Sequence, residues 1–563
     1  MSIDIETYRL KAQEAIEYVF VKEYHNSLGI PMPIVKMLLP DDANYSTGQY
    51  YITIDKTWQI HLNFGKLPIS YHEFQNEVKV LTRHEIEHYM CCPFDVITHF
   101  RMLKRIRDVY YKHFSHLGIN IKYACGAISN QAADIIVDTK NYYRHSKETL
   151  KSEIDWIKIG ANISACPRHC KLMFLTKEAI WKEDLGINET DPEFLKIVHQ
   201  LADSFTKNGI EDKSSFLDKV EEYAEIFFKL YVEDQKNPQQ SSQQGSQQQN
   251  GQQGSQQQSG QWGVGRPKDG DEHGNAFVFA DPDKVKEAIE VLAEETSVEE
   301  FIDLLAIAGI IGMSDKQKGV LWFNVQSANI IPIVEFSNTG NKSSYTYPSV
   351  WRIGDPIEEL DLMLTYMTSP RLIPGMTTKK WGYVSNDDNG TESKQMDLLL
   401  VVDTSGSMGS AMKESANMHQ AVLASYGILS YFESTKSKVA FIGFSDKIDA
   451  YVDWSDKYDD VRERLLTNGH GGTKFPISRI KSTLDVRSRD LVTVLITNGD
   501  LGNINESVSY FRDYLNDDNK LYIFLLGGSK SLHSYEPLKN IGAKIYNANN
   551  ANEFCDMVLT DME

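Results

Sequence analysis

The sequence predicts a multidomain protein, with a mainly helical α+β domain at the N-terminus and an α/β, doubly wound (Rossmann-like) domain at the C-terminus. Three observations carry this. A run of Gln, Ser and Gly at 237–261 interrupts otherwise ordinary globular sequence. Before it, apolar residues recur at three- and four-residue spacing. After residue 393, apolar strand segments alternate with helical ones, the pattern of a parallel sheet covered on both faces.

At 563 residues the chain exceeds what a single hydrophobic core sustains. Its apolar fraction of 41% is ordinary for globular protein, and six cysteines are too few for a disulfide framework. Against 78 acidic side chains stand 58 basic ones, a net charge of −20. That balance argues against nucleic-acid binding as the main task. The most apolar stretch, Leu304–Met313, is about half the length of a spanning helix. The opening MSIDIETYRL lacks the basic flank and apolar core of a signal peptide. A cytoplasmic protein with reduced thiols and no membrane association is expected.

Four segments follow. Residues 1–235 form the N-terminal domain, with helices predicted at Gln13–Lys22 and Phe74–Met90 and a short hairpin or edge strand at Tyr50–Asn63. Residues 236–275 are a flexible linker, because their composition cannot bury enough apolar surface to offset chain ordering. Residues 276–392 form a helical and irregular bridging region, with helices at Asp281–Ala293, Val298–Gly309 and Ile357–Met367. In 393–563 the strands are Asp397–Val402, Lys438–Phe444, Leu491–Thr497 and Leu521–Leu526. The helices between them are Met412–Phe432, Ser455–Leu466, Phe475–Thr483 and Ile504–Leu515.

The first chemical motif is His84-Glu85-Ile86-Glu87-His88. Histidines at i and i+4 lie on one helical face, so both imidazoles reach one cation. Glu85 points near the same side, where it can act as general base toward a zinc-activated water. A third ligand is sought in Asn130-Gln131-Ala132-Ala133-Asp134-Ile135-Ile136-Val137-Asp138. Asp134 and Asp138 share a face there, and the alanines permit close helix packing. Asp134 is the preferred ligand, with Asp138 either a supporting carboxylate or the substitute ligand. Cys91 and Cys92 precede Pro93 and read as core thiols turned away by the helix end. Cys166-Pro167-Arg168-His169-Cys170 lacks a second pair at zinc-finger spacing. His113 and His116 read as solvent-facing, and Tyr142, Tyr143 and His145 give no assignable transition-state donor.

This arrangement resembles the metallopeptidase domain that precedes von Willebrand A-like domains in bacterial proteins, a zincin-like domain. In that family an HExxH helix is followed by a helix with an Ala-Ala-Asp motif and a polar residue four positions on. Ala132-Ala133-Asp134 matches, and Asp138 stands where Asn is usual. The resemblance covers roughly 1–235 and implies Zn²⁺ held by His84, His88 and Asp134, with Glu85 catalytic.

The second motif is Asp403-Thr404-Ser405-Gly406-Ser407, directly after the apolar MDLLLVV. In doubly wound sheets ligands bind at such strand ends. Asp403 supplies charge, and the hydroxyls of Ser405 and Ser407 supply hard oxygens suited to Mg²⁺. Gly469-His470-Gly471-Gly472-Thr473 offers Thr473, and LVTVLIT opens into Asn498-Gly499-Asp500. Together these resemble the metal-ion-dependent adhesion site of von Willebrand A domains, and 393–563 follows that family's strand–helix order. The family's Thr-Asp-Gly carboxylate falls on Asn498, with the acid displaced to Asp500. Weaker Mg²⁺ affinity is expected, with Asp500 compensating nearby.

The joint resemblance is to MoxR-associated von Willebrand A proteins, which implies work with a MoxR-type AAA+ ATPase in protein remodelling or maturation. An acidic residue of the ATPase or its client would complete the Mg²⁺ shell. The chain has no G-x-x-x-x-G-K-[ST] phosphate loop, so ATP chemistry falls to the partner. Zinc-dependent peptide hydrolysis is the leading expectation for the N-terminal domain. A non-enzymatic, metal-gated adaptor with a purely structural zinc site is the alternative.

Overall fold

The computed structural model describes residues 5–42, 50–54, 59–64, 70–159, 163–236, 282–310, 313–330, 345–351, 379–383, 396–487, 491–499, 501, 503–517, 519–526 and 532–548. The Gln-rich run 237–261 and the helix expected at Ile357–Met367 lie outside them. The chain forms two compact units, 1–296 with 300–313 and 297–299 with 314–563. Their boundary falls inside the bridging region 276–392.

The first unit is mainly helical. Helix α1 (Ile5–Glu17) precedes a three-stranded sheet of β1 (Ile34–Met37), β2 (Tyr50–Ile54) and β3 (Gln59–Phe64). The strand order is β1-β3-β2, with β1 parallel and β2 antiparallel to β3. Then come α2 (Tyr71–Met90), α3 (Val96–Val109), α4 (Ile121–Ile159), α5 (Arg168–Trp181), α6 (Pro192–Thr206) and α7 (Phe216–Lys236). Helices α8 (Pro282–Glu295) and α9 (Val298–Ile307) follow the Gln-rich run. Ion pairs from Arg101 to Glu295 and from Arg107 to Glu300 and Asp303 fasten them to α3.

Helix α2 is the spine of this unit. It opens with a capping box, in which Ser70 Oγ accepts from Glu73 N at 3.4 Å and donates to the Glu73 carboxylate at 2.9 Å. Phe74, Val78 and Ile86 pack with Ala12, Ile16, Ile60 and Leu62 from α1 and β3. His84 is two residues from Ile86, so its side chain leaves the opposite side of the helix. Every residue from Leu81 to His88 is buried.

The second unit is built on a six-stranded mixed sheet. Its strands are β6 (Asp397–Asp403), β7 (Val439–Phe444), β8 (Ile448–Ser455), β9 (Leu491–Thr497), β10 (Lys520–Leu526) and β11 (Lys544–Ala548). The order is β11-β10-β9-β6-β7-β8, all parallel except the edge strand β8. The intervening helices are α11 (Asn417–Ser434), α12 (Tyr458–Leu465), α13 (Ile477–Leu484), α14 (Val508–Asn516) and α15 (Leu532–Lys539), while α10 (Asp315–Ile330) packs on α11. Strands β4 (Tyr345–Val350) and β5 (Lys379–Tyr383) form a separate antiparallel pair.

Strands β7 and β9 are buried at every position, which requires cover on both faces. Leu399 and Val401 pack with Ile480, Leu484, Phe511 and Leu538 on one face. Leu398, Leu400 and Val402 are equally buried on the other. Because β6 runs to β7 on one side and has β9 on the other, the order reverses between β6 and β9. A crevice opens at such a switch point, at the carboxyl ends of those two strands. Asp403 and Asn498 stand there.

Candidate metal centres

The i,i+4 spacing on α2 places the rings of His84 and His88 at 4.6 Å, edge to face, with their Nε2 atoms 3.1 Å apart. Each ring is fixed through its other nitrogen. His84 Nδ1 donates to Asp138 Oδ1 at 2.7 Å, and His88 Nδ1 donates to the Cys92 carbonyl at 2.9 Å. A neutral ring held with its proton on Nδ1 turns its Nε2 lone pair to the point the two Nε2 atoms share.

Helix α4 brings the third group. Ala132 and Ala133 are buried on this helix, which packs against α2. Asp134 Oδ1 lies 3.5 Å from His84 Nε2 and 3.3 Å from His88 Nε2. Its other oxygen accepts from Asn130 Nδ2 at 3.1 Å. Asp134 Oδ1 itself is buried, and the two imidazoles are its polar neighbours. Among the described residues, His84, His88 and Asp134 are the group of His, Cys, Asp and Glu whose atoms converge tightly enough to hold a metal ion. Four-coordinate zinc with ligands at about 2.0–2.1 Å separates those ligands by about 3.3 Å. The three observed separations bracket that value, so the donor set fits zinc.

The electrostatics couple the imidazoles to the carboxylates. Burial alone would lower the His88 imidazolium, but Asp134 and Glu85 outweigh it and hold it up at about 9. Burial pushes Asp134 up, yet the two imidazoles hold it below the usual carboxylate range. Asp138, likewise buried, is held low by Lys177 and His84. Glu85 is buried and near enough to His88 to raise it.

Around this centre lies a partly buried ionic frame with no local signature in the sequence. Lys177 on α5 contacts Asp138 Oδ2 at 3.0 Å and pairs closely with Glu153. Arg83 pairs with Glu23 at 2.6 Å and closely with Glu148. Glu87, fully buried, takes Lys140 and Arg144 at 2.8 Å each and the Tyr24 hydroxyl at 3.0 Å. The Arg83 and Glu87 pairs both tie α2 to α4.

Other residues singled out in the sequence stand apart. Cys91 and Cys92 are buried beyond the helix end, and burial pushes the Cys91 thiol up to about 11. His169 donates to Asp234 at 2.8 Å, and Cys170 is buried beside it. His113 and His116 are exposed. Tyr142 donates to Glu183 and stacks on Trp181 at 4.7 Å, while Tyr143 is exposed. His145 sits at a kink in α4, 3.9 Å from Glu23.

In the second unit Asp403 ends β6, fully buried. Its Oδ1 accepts from Ser405 N at 2.9 Å and its Oδ2 from Thr497 Oγ1 at 2.7 Å. Above it, Ser405 Oγ and Ser407 Oγ are 3.1 Å apart, and Ser407 Oγ donates to Asn498 Oδ1, also at 3.1 Å. Asn498 Nδ2 returns a bond to the Ser407 carbonyl at 2.8 Å. Octahedral Mg²⁺ with oxygens at about 2.0–2.1 Å spaces adjacent ligands by about 2.9 Å, so this oxygen cluster fits a small hard cation.

The loop bearing Thr473 is laced to the same turn. Gly469 N donates to the Thr404 carbonyl at 3.0 Å, and Gly406 N to the Gly471 carbonyl at 3.4 Å. A Cβ on Gly469 would come within 2.6 Å of that Thr404 oxygen, so the approach requires glycine. Thr473 is half-buried on this loop. Asp500 lies outside the described residues. Asp449, which accepts from Thr404 Oγ1 at 2.7 Å, steadies the turn without a motif to announce it.

The two units thus present a helical domain with a His-His-Asp centre and an α/β domain with an oxygen cluster at its switch point. No protein-family model and no curated protein matches the chain. Among solved structures it is similar to the conserved hypothetical protein BatB from Bacteroides thetaiotaomicron. That match has a TM-score of 0.26 and 12% identity, covering 30% of this chain and 97% of that one. Among the described residues no helix is long and apolar enough to cross a membrane.

Proposed function

We propose that this chain is a two-metal protein, a zinc peptidase-type domain joined to a von Willebrand A-type domain that binds partners through Mg²⁺. The observation that carries the first half is the convergence of the buried Asp134 Oδ1 with two imidazole Nε2 atoms, 3.3–3.5 Å away. His84, His88 and Asp134 would hold the zinc. Bound zinc supplies Lewis acidity toward water and a peptide carbonyl. Asp138 and the Cys92 carbonyl keep both Nδ1 atoms protonated, and Asn130 holds Asp134 so that one oxygen faces the site. Glu85 accepts a proton at its carboxylate and returns it to the leaving amine. Glu87 is committed to Lys140, Arg144 and Tyr24 and takes no part.

In the second unit Asp403, Ser405, Ser407, Thr473 and Asn498, with Asp500, would hold Mg²⁺. A carboxylate from another protein completes such a shell, and nothing in it is catalytic. By resemblance the partner is a MoxR-type AAA+ ATPase or its client, in protein remodelling or maturation, and the chain acts in the cytoplasm. Loss of Mg²⁺-dependent ATPase capture in Asp403→Ala tests this half.

A structural zinc site is the second reading, favoured by the burial of both histidines, 5% and 1% exposed. Zinc content of wild type beside His84→Ala, followed by a peptidase assay with Glu85→Gln, separates the two. The peptidase reading expects about one zinc per chain, lost in His84→Ala, and cleavage lost in Glu85→Gln with zinc retained. Cleavage unchanged in Glu85→Gln leaves the structural reading. No zinc in folded wild type refutes both.

A further inference from the structure

We infer that Lys177 is a positioning residue of the N-terminal centre, acting through Asp138 on His84; this rests on the zinc reading above. Helix α5 is apolar where it carries this residue, in CKLMFLTKEAIW. A lysine placed there is costly, since its charge leaves water entirely. Its side chain is 2% exposed, and Nζ lies over the rings of Phe174 and Trp181 at 5.2 and 5.8 Å. Two carboxylates meet it, Asp138 Oδ2 at 3.0 Å and Glu153 in a close pair.

The geometry forms one chain of contacts. Lys177 donates to one oxygen of Asp138, and the other oxygen of the same carboxylate accepts from His84 Nδ1 at 2.7 Å. A carboxylate held at one oxygen cannot rotate away from the imidazole. The ring is thereby kept with Nδ1 protonated and Nε2 3.1 Å from its counterpart on His88. Groups of this kind behind a ligating histidine set metal affinity without touching the metal. Glu153 completes the neutralisation of Lys177, and the contacts that run on to His84 pass through Asp138.

The test is a zinc titration of the full chain against a chromophoric chelator. It uses wild type, Lys177→Met, Asp138→Asn and the double variant, with visible spectra of the Co²⁺-loaded forms alongside. Each single variant is expected to weaken zinc by about 10–100-fold and to shift the Co²⁺ bands. The double variant should bind as Asp138→Asn does, because both changes cut the same chain. Wild-type affinity in Lys177→Met, or losses that add in the double, would overturn the inference. Where Lys177→Met alone does not fold, Asp138→Asn against the double variant decides: equal affinity supports the inference and a further tenfold loss overturns it. A wild type that binds no zinc overturns the zinc reading itself, whatever the variants do.

Discussion

Raising the pH from 7.5 to 8.5 acts on the N-terminal centre through the buried imidazole of His88. Burial disfavours its charged form, but Asp134 and Glu85 reverse that and hold the group at about 9 in the metal-free protein. Zinc needs the neutral ring, so binding must expel a proton. At pH 7.5 only about 3% of the rings are neutral, a handicap of about 2 kcal/mol. The handicap shrinks as pH approaches 9, so zinc affinity should still climb severalfold, close to tenfold, across that single unit. An ordinary imidazole, titrating near 6.5, would contribute almost nothing there. Competition against a chelator of known protonation behaviour measures the slope. Calorimetry in buffers of different ionisation heat measures the proton released. A flat affinity between pH 7.5 and 8.5 would refute the argument that Asp134 and Glu85 outweigh burial at His88.

The same shift carries a stability consequence. A folded-state value above the unfolded one stabilises below about pH 6.5 and is lost as pH rises through 9, so chelator-treated protein should lose on the order of 3 kcal/mol in denaturant titrations across that window. Asn498→Asp restores a carboxylate where Asn498 Oδ1 accepts from Ser407 Oγ, and should tighten Mg²⁺ several-fold by calorimetry; unchanged affinity would place Asn498 outside the shell. Glu87→Ala leaves Lys140 buried with only Glu211 at 3.1 Å. It should cost roughly 3 kcal/mol, the low end for a broken buried pair, read as a fall in the urea midpoint.

Much of the His-His-Asp centre is legible because its signals are local. A spacing of four on a helix fixes His84 over His88, and the same spacing separates Asp134 from Asp138. Which carboxylate faces the two Nε2 atoms is not local. It depends on how α4 lies against α2, and on Lys177, 39 residues beyond Asp138, which the sequence presents as one of three basic residues of its helix, with Arg168 and Lys171. The sheet of the second unit divides in the same way. Strands β6, β7, β9 and β10 are continuous apolar runs and read as such. The edge strands β8 and β11 do not, because an edge needs only partial burial, and β8 is mostly half-buried or exposed along its length. The helix expected from Met412 begins at Asn417. Residues 408–416 are spent on turns leaving the oxygen cluster, and a Cβ on Gly319 of α10 would lie 2.6 Å from Met412 Cε.

A helix buried all round should be apolar, yet α2 runs Arg83-His84-Glu85-Ile86-Glu87-His88 through the interior of the first unit. Each charge taken from water costs several kcal/mol before its partner offsets it. Arg83 and Glu87 are offset by Glu23, Glu148, Lys140 and Arg144. The two histidines and Asp134 each have one outside partner, in Asp138, the Cys92 carbonyl and Asn130, and otherwise face one another. A cation there would convert this cluster into a crosslink between α2 and α4. Free zinc at 100 times its dissociation constant should therefore add about 2.7 kcal/mol. At about 2–4 °C per kcal/mol the melting transition of the first unit should rise by roughly 5–10 °C, while that of the second unit stays still. Differential scanning calorimetry of the full chain, with and without zinc, resolves the two. A first transition that zinc does not move, or moves equally in His84→Ala, would mean that the buried charges of α2 are balanced without a metal.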